Sequence, residues 1–203
     1  MAYKNDIFIS YRRDPETLEW INKHLVPLLS LRLNFELGRA PAIFIDTQLE
    51  TGVSWKNQLG NELAQSRILF ILWSGNYLNS QWCTLEMSLM LERERKTKRR
   101  TAQNPRGLVI PAFIHDGSEF PYKASDIQYF EIQKTFNVRM AKDSVLAEEL
   151  DSILATQAPA IAKAIVEAPA WRKEWMQLTA TQLYKKLFKG KISQDTLPRF
   201  SSR

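Results

Sequence analysis

Cysteine is almost missing from this chain: Cys83 is the only one among 203 residues. That excludes a disulfide framework and a cysteine-built zinc site, and makes a reducing, cytoplasmic setting the expectation. Histidine is nearly as scarce, and His24 and His115 stand far apart, so no metal site is expected. No apolar run approaches the roughly 20 residues that a membrane-spanning helix needs. The first residues, Met1 to Asp6, lack the charged-then-apolar layout of a secretory leader. Internal repeats and low-complexity tracts are missing too, which removes solenoids and disordered linkers from consideration.

Net charge is missing from most of the chain as well. Residues 168–203 hold eight Lys/Arg against two Asp/Glu, so this tail accounts for the whole formal charge of +6. Residues 1–167 balance. The expected organisation is therefore one globular domain over 1–167 and a basic extension over 168–203.

The body alternates short apolar runs with helical patterns. Asp6–Ser10, Ala42–Asp46, Ile68–Trp73, Leu108–Ile114 and the weaker Tyr129–Ile132 read as strands. Asp14, Pro15 and Glu16 form a helix start, as a cap, a first-turn proline and an acid at the positive end. Leu18, Ile21, Leu25, Leu28, Leu29 and Leu33 continue it at helical spacing, and Pro27 is expected to kink or divide it. Pro111 argues for an edge or a bulge in the fourth strand. A helix carrying Leu85, Met87, Leu89, Met90 and Leu91 is apolar over most of its circumference and is expected to be buried. The run Glu92–Arg100 reads as its solvated end. Ser144 to Val166 forms the last body helix. Strands alternating with helices imply a doubly wound parallel sheet, whose ligands bind at the carboxyl ends of the strands. The extension reads as a basic amphipathic helix. Its stripe, including Trp171 and Trp175, docks on the body, a second subunit or a partner protein, or else its cations meet an anionic surface.

Within this frame Trp82 and Glu86 stand four apart at the start of a helix, which places an indole and a carboxylate on one face. Cys83 between them reads as a small buried apolar residue.

Ser10-Tyr11-Arg12 after the first strand, Ile45-Asp46 with Leu49-Glu50-Thr51-Gly52, Ser74 with Asn76-Tyr77, and Ser80-Gln81-Trp82-Cys83 resemble, in this order, the motifs of Toll/interleukin-1 receptor (TIR) domains. The resemblance spans roughly residues 5–165 and is strongest to bacterial and plant-like members. Ile110-Pro111-Ala112-Phe113 resembles the family's fourth strand, proline included. It implies a flavodoxin-like three-layer α/β fold with five parallel strands. It also implies one of two activities, cleavage of the nicotinamide–ribose bond of NAD or non-catalytic adaptor signalling through TIR–TIR association into a homo-oligomer.

Glu86 matches the family's catalytic glutamate, with NAD as substrate and no separate cofactor. Ser10, Tyr11, Arg12, Asp46, Trp55 and Trp82 are the expected substrate-binding residues. Arg13-Asp14 stand where plant members commonly carry a glycine. One carboxylate suffices for this chemistry: nicotinamide is already cationic and leaves without protonation, and the acid stabilises the oxocarbenium-like ribose.

Overall fold

The computed structural model describes residues 3–45, 55–115 and 127–177. Five parallel strands form one sheet in the order β2-β1-β3-β4-β5: β1 Asn5–Ser10, β2 Ile43–Ile45, β3 Ser66–Trp73, β4 Val109–Phe113 and β5 Phe130–Glu131. Ile7 aligns with Ile43 on one side and Ile68 on the other, while Phe70 aligns with Ile110. The interior strands are apolar without alternation because helices cover both faces of a parallel sheet. From Ile68 to Trp73, β3 is fully buried.

The chain order assigns the helical layers. From β1 the chain steps outward to β2, then reverses past β1 to reach β3 and β4. With right-handed crossovers, the helices between β1 and β2 lie on one face of the sheet. Those are α1 (Pro15–Trp20) and α2 (Val26–Leu37). Helices α3 (Trp55–Ala64) and α5 (Gln81–Lys96) lie on the other. The last body helix, α6 (Val145–Val166), packs along α2 and completes the first layer. A short helix, α4 (Gly75–Leu78), precedes α5.

Asp14 caps α1 through Oδ1, which accepts from the Thr17 N–H at 2.7 Å. Pro27 marks an irregularity in the helix and not a break: a π-helical turn over Ile21–Leu25 joins α1 to α2 with right-handed helical backbone on both sides, and Pro27 stands in the first turn of α2. Gly38 ends α2 at φ 66°, a left-handed position that favours glycine.

Pro111 requires a correction. Strand β4 lies between β3 and β5 and is no edge. Leu108 C=O and Ile114 N–H bond to β3, whereas Phe113 C=O accepts from Ile132 N–H on the other flank. By alternation Pro111 faces that second flank, one residue before β5 begins at the Ala112–Phe130 register. The ladder therefore loses no bond at Pro111.

Two expectations for α5 also change. As an outer-layer helix on β3 and β4 it seals only one side: Leu85 and Met90 are buried, while Met87, Leu89 and Leu91 are only partly so. Its charged end is not a simple solvated face, since Arg93, Glu94 and Arg99 are buried. The Arg93 guanidinium donates to the carbonyls of Ser66, Leu63 and Ala64 at 2.7, 3.3 and 3.2 Å.

The start of the extension docks on the body. Trp171 Nε1 donates to Ala64 C=O at 3.2 Å, and Tyr3 Oη donates to Pro169 C=O at 2.6 Å. Trp175, in the short helix α7 (Glu174–Gln177), is 2 % exposed and stacks 4.3 Å from the Arg93 guanidinium. The rest of the stripe, from Leu178 on, lies outside the described residues, as does most of the expected amphipathic helix. No helix among the described residues is long and apolar enough to cross a membrane.

Candidate functional site

β1 ends at Ser10, and the chain leaves the sheet there toward α1. β3 ends at Trp73 and leaves toward α5 on the opposite face. Neighbouring strands whose connections diverge create a crevice at their carboxyl ends. Ser74 caps the turn after β3, its Oγ accepting from Tyr77 N–H at 3.1 Å. Ser80 then caps α5, its Oγ accepting from Cys83 N–H at 3.4 Å. These two caps fix the phase of α5, so that Glu86 in its second turn faces the end of β1.

Glu86 is 6 % exposed. Its Oε2 accepts from Ser10 Oγ at 2.5 Å, within the range of a hydroxyl donating to a carboxylate. Ser10 Oγ also lies 2.8 Å from Tyr77 Oη, which donates to Cys83 C=O at 3.0 Å. Cys83 Sγ in turn donates to Tyr11 C=O at 3.4 Å. The acid is thus tied to β1, α4 and α5 at once. Burial first, with Cys83 and Glu86 beside it, holds the Tyr77 phenol well above its ordinary pKa, so it stays a neutral donor. Among the described residues no cluster of metal-ligating side chains occurs.

The expected site residues fall into four groups. Ser10, Tyr11 and Glu86 come together in this buried network. Trp82 lies one turn from Glu86 on α5, half-buried against the core. Arg12 is exposed, has no hydrogen-bond or ion-pair partner among the described residues, and borders a cleft of about 360 Å³. Asp14, Ser74, Asn76, His115 and Phe136 line the same cleft. Asp46 and the loop to Val53 lie outside the described residues, and so does the Trp55 side chain, although Trp55 begins α3.

Sequence reasoning did not single out Tyr77, Asp14 or His115 as members of this region. Tyr77 carried a signal, the Ser-x-x-Tyr spacing that lets Ser74 cap its N–H while the ring turns inward. Asp14 reads from the sequence as a helix cap and as a departure from the family's glycine, and His115 is placed by the end of β4, which no local pattern announces.

A family model, described as the TIR domain, matches residues 7–150. Among solved structures, the TIR domain of the Toll-related receptor TRR-2 from Hydra magnipapillata is similar at 18 % identity. Its TM-score is 0.45, over 63 % of this chain and 84 % of that one. The TIR domains of the activated Roq1 resistosome, which directly recognises the pathogen effector XopQ, match at 19 % identity. That match has a TM-score of 0.39, over 92 % of this chain and 98 % of that one. No curated protein matches by sequence.

Proposed function

The chain belongs to the TIR domain family, and from that premise we propose that it is an NAD glycohydrolase with Glu86 as its catalytic carboxylate. The observation that carries the reading is the placement of Glu86 beside the carboxyl end of β1, fixed by Ser10 at 2.5 Å and one helical turn from Trp82. Bond cleavage leaves positive charge on the ribose and expels neutral nicotinamide. A carboxylate at the anomeric centre stabilises that charge, and its fixed position avoids reorganisation as the charge develops. Ser10 orients the carboxylate. Trp82 offers a flat surface to a ring of the substrate, and the Arg12 guanidinium, exposed and without a partner among the described residues, is suited to the diphosphate. Asp46 and Trp55 are the remaining substrate-binding residues that the family resemblance implies. Water then gives ADP-ribose, or an internal nucleophile gives a cyclic isomer. The setting is cytoplasmic, and assembly through TIR–TIR contacts activates the enzyme in antiphage immune signalling.

One observation favours the second reading, an adaptor without turnover: Glu86 is buried and already hydrogen-bonded. Chromatography of the products from NAD, with the protein dilute and then assembled under crowding, decides between them. The enzyme predicts nicotinamide release that Glu86→Ala lowers by about 100-fold or more, and the accompanying peak distinguishes hydrolase from cyclase. Absence of nicotinamide from the assembled wild type defeats the enzyme reading and leaves the adaptor.

A further inference from the structure

We propose that Tyr77 is a positioning residue for Glu86: acting through Ser10, its phenol raises the proton affinity of the acid and so sets the pH at which the site switches off. The proposal rests on the NAD-cleaving reading above, in which ionised Glu86 is the working form, and adds a control on that same group.

Ser10 Oγ lies 2.5 Å from Glu86 Oε2 and 2.8 Å from Tyr77 Oη, and Tyr77 Oη lies 3.0 Å from Cys83 C=O. Contacts of hydrogen-bond length therefore run in series from Glu86 to a carbonyl that can only accept. A serine and a tyrosine hydroxyl carry one hydrogen each, and a carboxylate carries none. With Glu86 ionised, Ser10 donates to the carboxylate and Tyr77 to Cys83 C=O, so the Ser10–Tyr77 contact holds no hydrogen. Turning the Tyr77 hydroxyl toward Ser10 only moves the gap to Cys83.

One proton on Glu86 Oε2 closes the gap. Glu86 then donates to Ser10 Oγ, the Ser10 hydrogen turns to Tyr77 Oη, and Tyr77 keeps its bond to Cys83 C=O. Every contact in the series is now bonded in one direction. Ser10 and Tyr77 are 1 % and 0 % exposed, so solvent does not supply the missing hydrogen. Tyr77 thus favours the neutral acid by giving the Ser10 hydrogen an acceptor other than Glu86.

The other titratable groups about Glu86 leave this control in place. Burial, with Cys83 and Glu86 beside it, holds the Tyr77 phenol neutral, and Cys83 Sγ keeps its hydrogen for Tyr11 C=O at 3.4 Å. Tyr11 is itself buried just beyond β1. Of the strands beneath α5, β3 has Arg67 at its amino end as its one titratable residue, and β4 has none. The charges of α5 itself begin at Glu92, past the first two turns.

The test is a carbon NMR titration of the full chain labelled at the glutamate carboxyl carbons, with the Glu86 resonance identified by its loss in Glu86→Gln. In Tyr77→Phe, which keeps the ring, the Glu86 midpoint should fall by about one pH unit, the worth of one hydrogen bond between neutral groups. Ser10→Ala should raise it by about as much, because the carboxylate loses its donor. Looser packing alone would admit water and lower the midpoint in both variants. In the wild type, the Tyr77 ring carbon that bears the hydroxyl should titrate with the Glu86 midpoint, and this result stands on its own if Tyr77→Phe misfolds.

An unmoved or raised midpoint in Tyr77→Phe overturns the proposal, as does a shift of the same sign in both variants or a Tyr77 resonance that does not follow Glu86. The carboxyl titration uses no substrate. If the midpoints move as expected while assembled protein releases no nicotinamide, the control of the proton stands and the NAD-cleaving reading falls. If nicotinamide is released and the acidic limb of its pH profile stays in place in Tyr77→Phe, the NAD-cleaving reading stands and the proposal falls.

Discussion

At the amino ends of β1 and β3, carboxylates are locked by cations and backbone donors. At the carboxyl ends, polar groups keep bonding capacity for something outside the chain. Asp6 accepts from both Arg39 terminal nitrogens, Nη1 at 2.6 Å and Nη2 at 2.7 Å, and from Ala42 N–H at 2.9 Å, with Arg67 at 3.3 Å. Glu62 accepts from Lys4 at 2.5 Å and Asn5 at 2.9 Å. Glu94 accepts from Arg100 and from the N–H groups of Leu108 and Val109, at 2.5 and 2.8 Å. Across the sheet, Arg12 has no partner among the described residues, and the hydrogen bond from Ser10 to Glu86 comes from a neutral hydroxyl. Both ends are rich in charge. The difference is that carboxylates at one end are paired with cations, whereas at the other the exposed Arg12 has no partner among the described residues and Glu86 accepts from a neutral hydroxyl.

The largest expected effect breaks the amino end. Glu94→Ala strips the Leu108 and Val109 N–H groups of their acceptor and leaves Arg100 half-buried without its carboxylate. A loss of about 3–5 kcal/mol in urea denaturation is expected, with any activity falling only as folded protein is lost. Glu86→Gln at the other end should reverse the pattern. Its amide oxygen still accepts from Ser10, so stability changes by about 1 kcal/mol, while the nicotinamide release proposed for the wild type should be abolished. If Glu94→Ala spared stability, or Glu86→Gln unfolded the protein, the division between the two ends would fail.

Next in size is Trp175→Ala, with an expected loss of about 3 kcal/mol in the same denaturation experiment. The ring is 2 % exposed and covers Arg93, whose pKa burial lowers to about 10. Removing the ring admits water to the guanidinium and lifts that value toward an ordinary arginine. A fully stable Trp175→Ala variant would mean that the extension lies on the amino end without stabilising it.

Most of the carboxyl end was legible because its parts are local. Apolar runs gave the strands, Asp14-Pro15 gave a helix start, and the Trp82–Glu86 spacing gave a shared face. The motif order gave the family, and with it Glu86 as the candidate acid. The amino end was hidden because its partners are distant in sequence. Asp6 meets Arg39 and Arg67, and Trp171 meets Ala64, 107 residues away. Burial of Arg93 and Glu94 inside a charged run cannot be read from the run, since it depends on Ser66 and Leu108 arriving from other strands. Pro111 was misplaced for a related reason: whether a strand is an edge is a property of the sheet, not of the strand.

A smaller effect comes from titrating Asp6. Burial pushes its carboxyl up, but the bonds from Arg39 and Ala42 outweigh this and hold its pKa below the ordinary value. A carboxyl depressed in the folded state contributes stability above its unfolded pKa, about 3.9, and loses it as pH falls through the folded value. Because the Arg39 side chain is 51 % exposed, solvent screens the pair and the contribution is about 1 kcal/mol. Stability measured from pH 6 to pH 3 should fall more steeply in wild type than in Asp6→Asn, and parallel curves would remove Asp6 from the account.

The smallest expected change in stability is also the sharpest test of the comparison. Arg12 is exposed and makes no ion pair or hydrogen bond among the described residues, so Arg12→Ala should move the unfolding free energy by no more than about 0.5 kcal/mol. Arg39→Ala, an arginine removed from the opposite end, should cost more, because it strips Asp6 of two donors. Ligand binding should invert the order. Arg12→Ala should weaken the use of NAD in the product assay by about tenfold or more, the worth of a lost charge-assisted bond to phosphate, whereas Arg39→Ala leaves it unchanged. Two arginines on one sheet, one costly to the fold and silent in binding, the other the converse, would establish that the ends divide the work. Equal costs to stability would show that Arg12 is held by the fold after all, and a phosphate site built on its unspent donors would lose its basis.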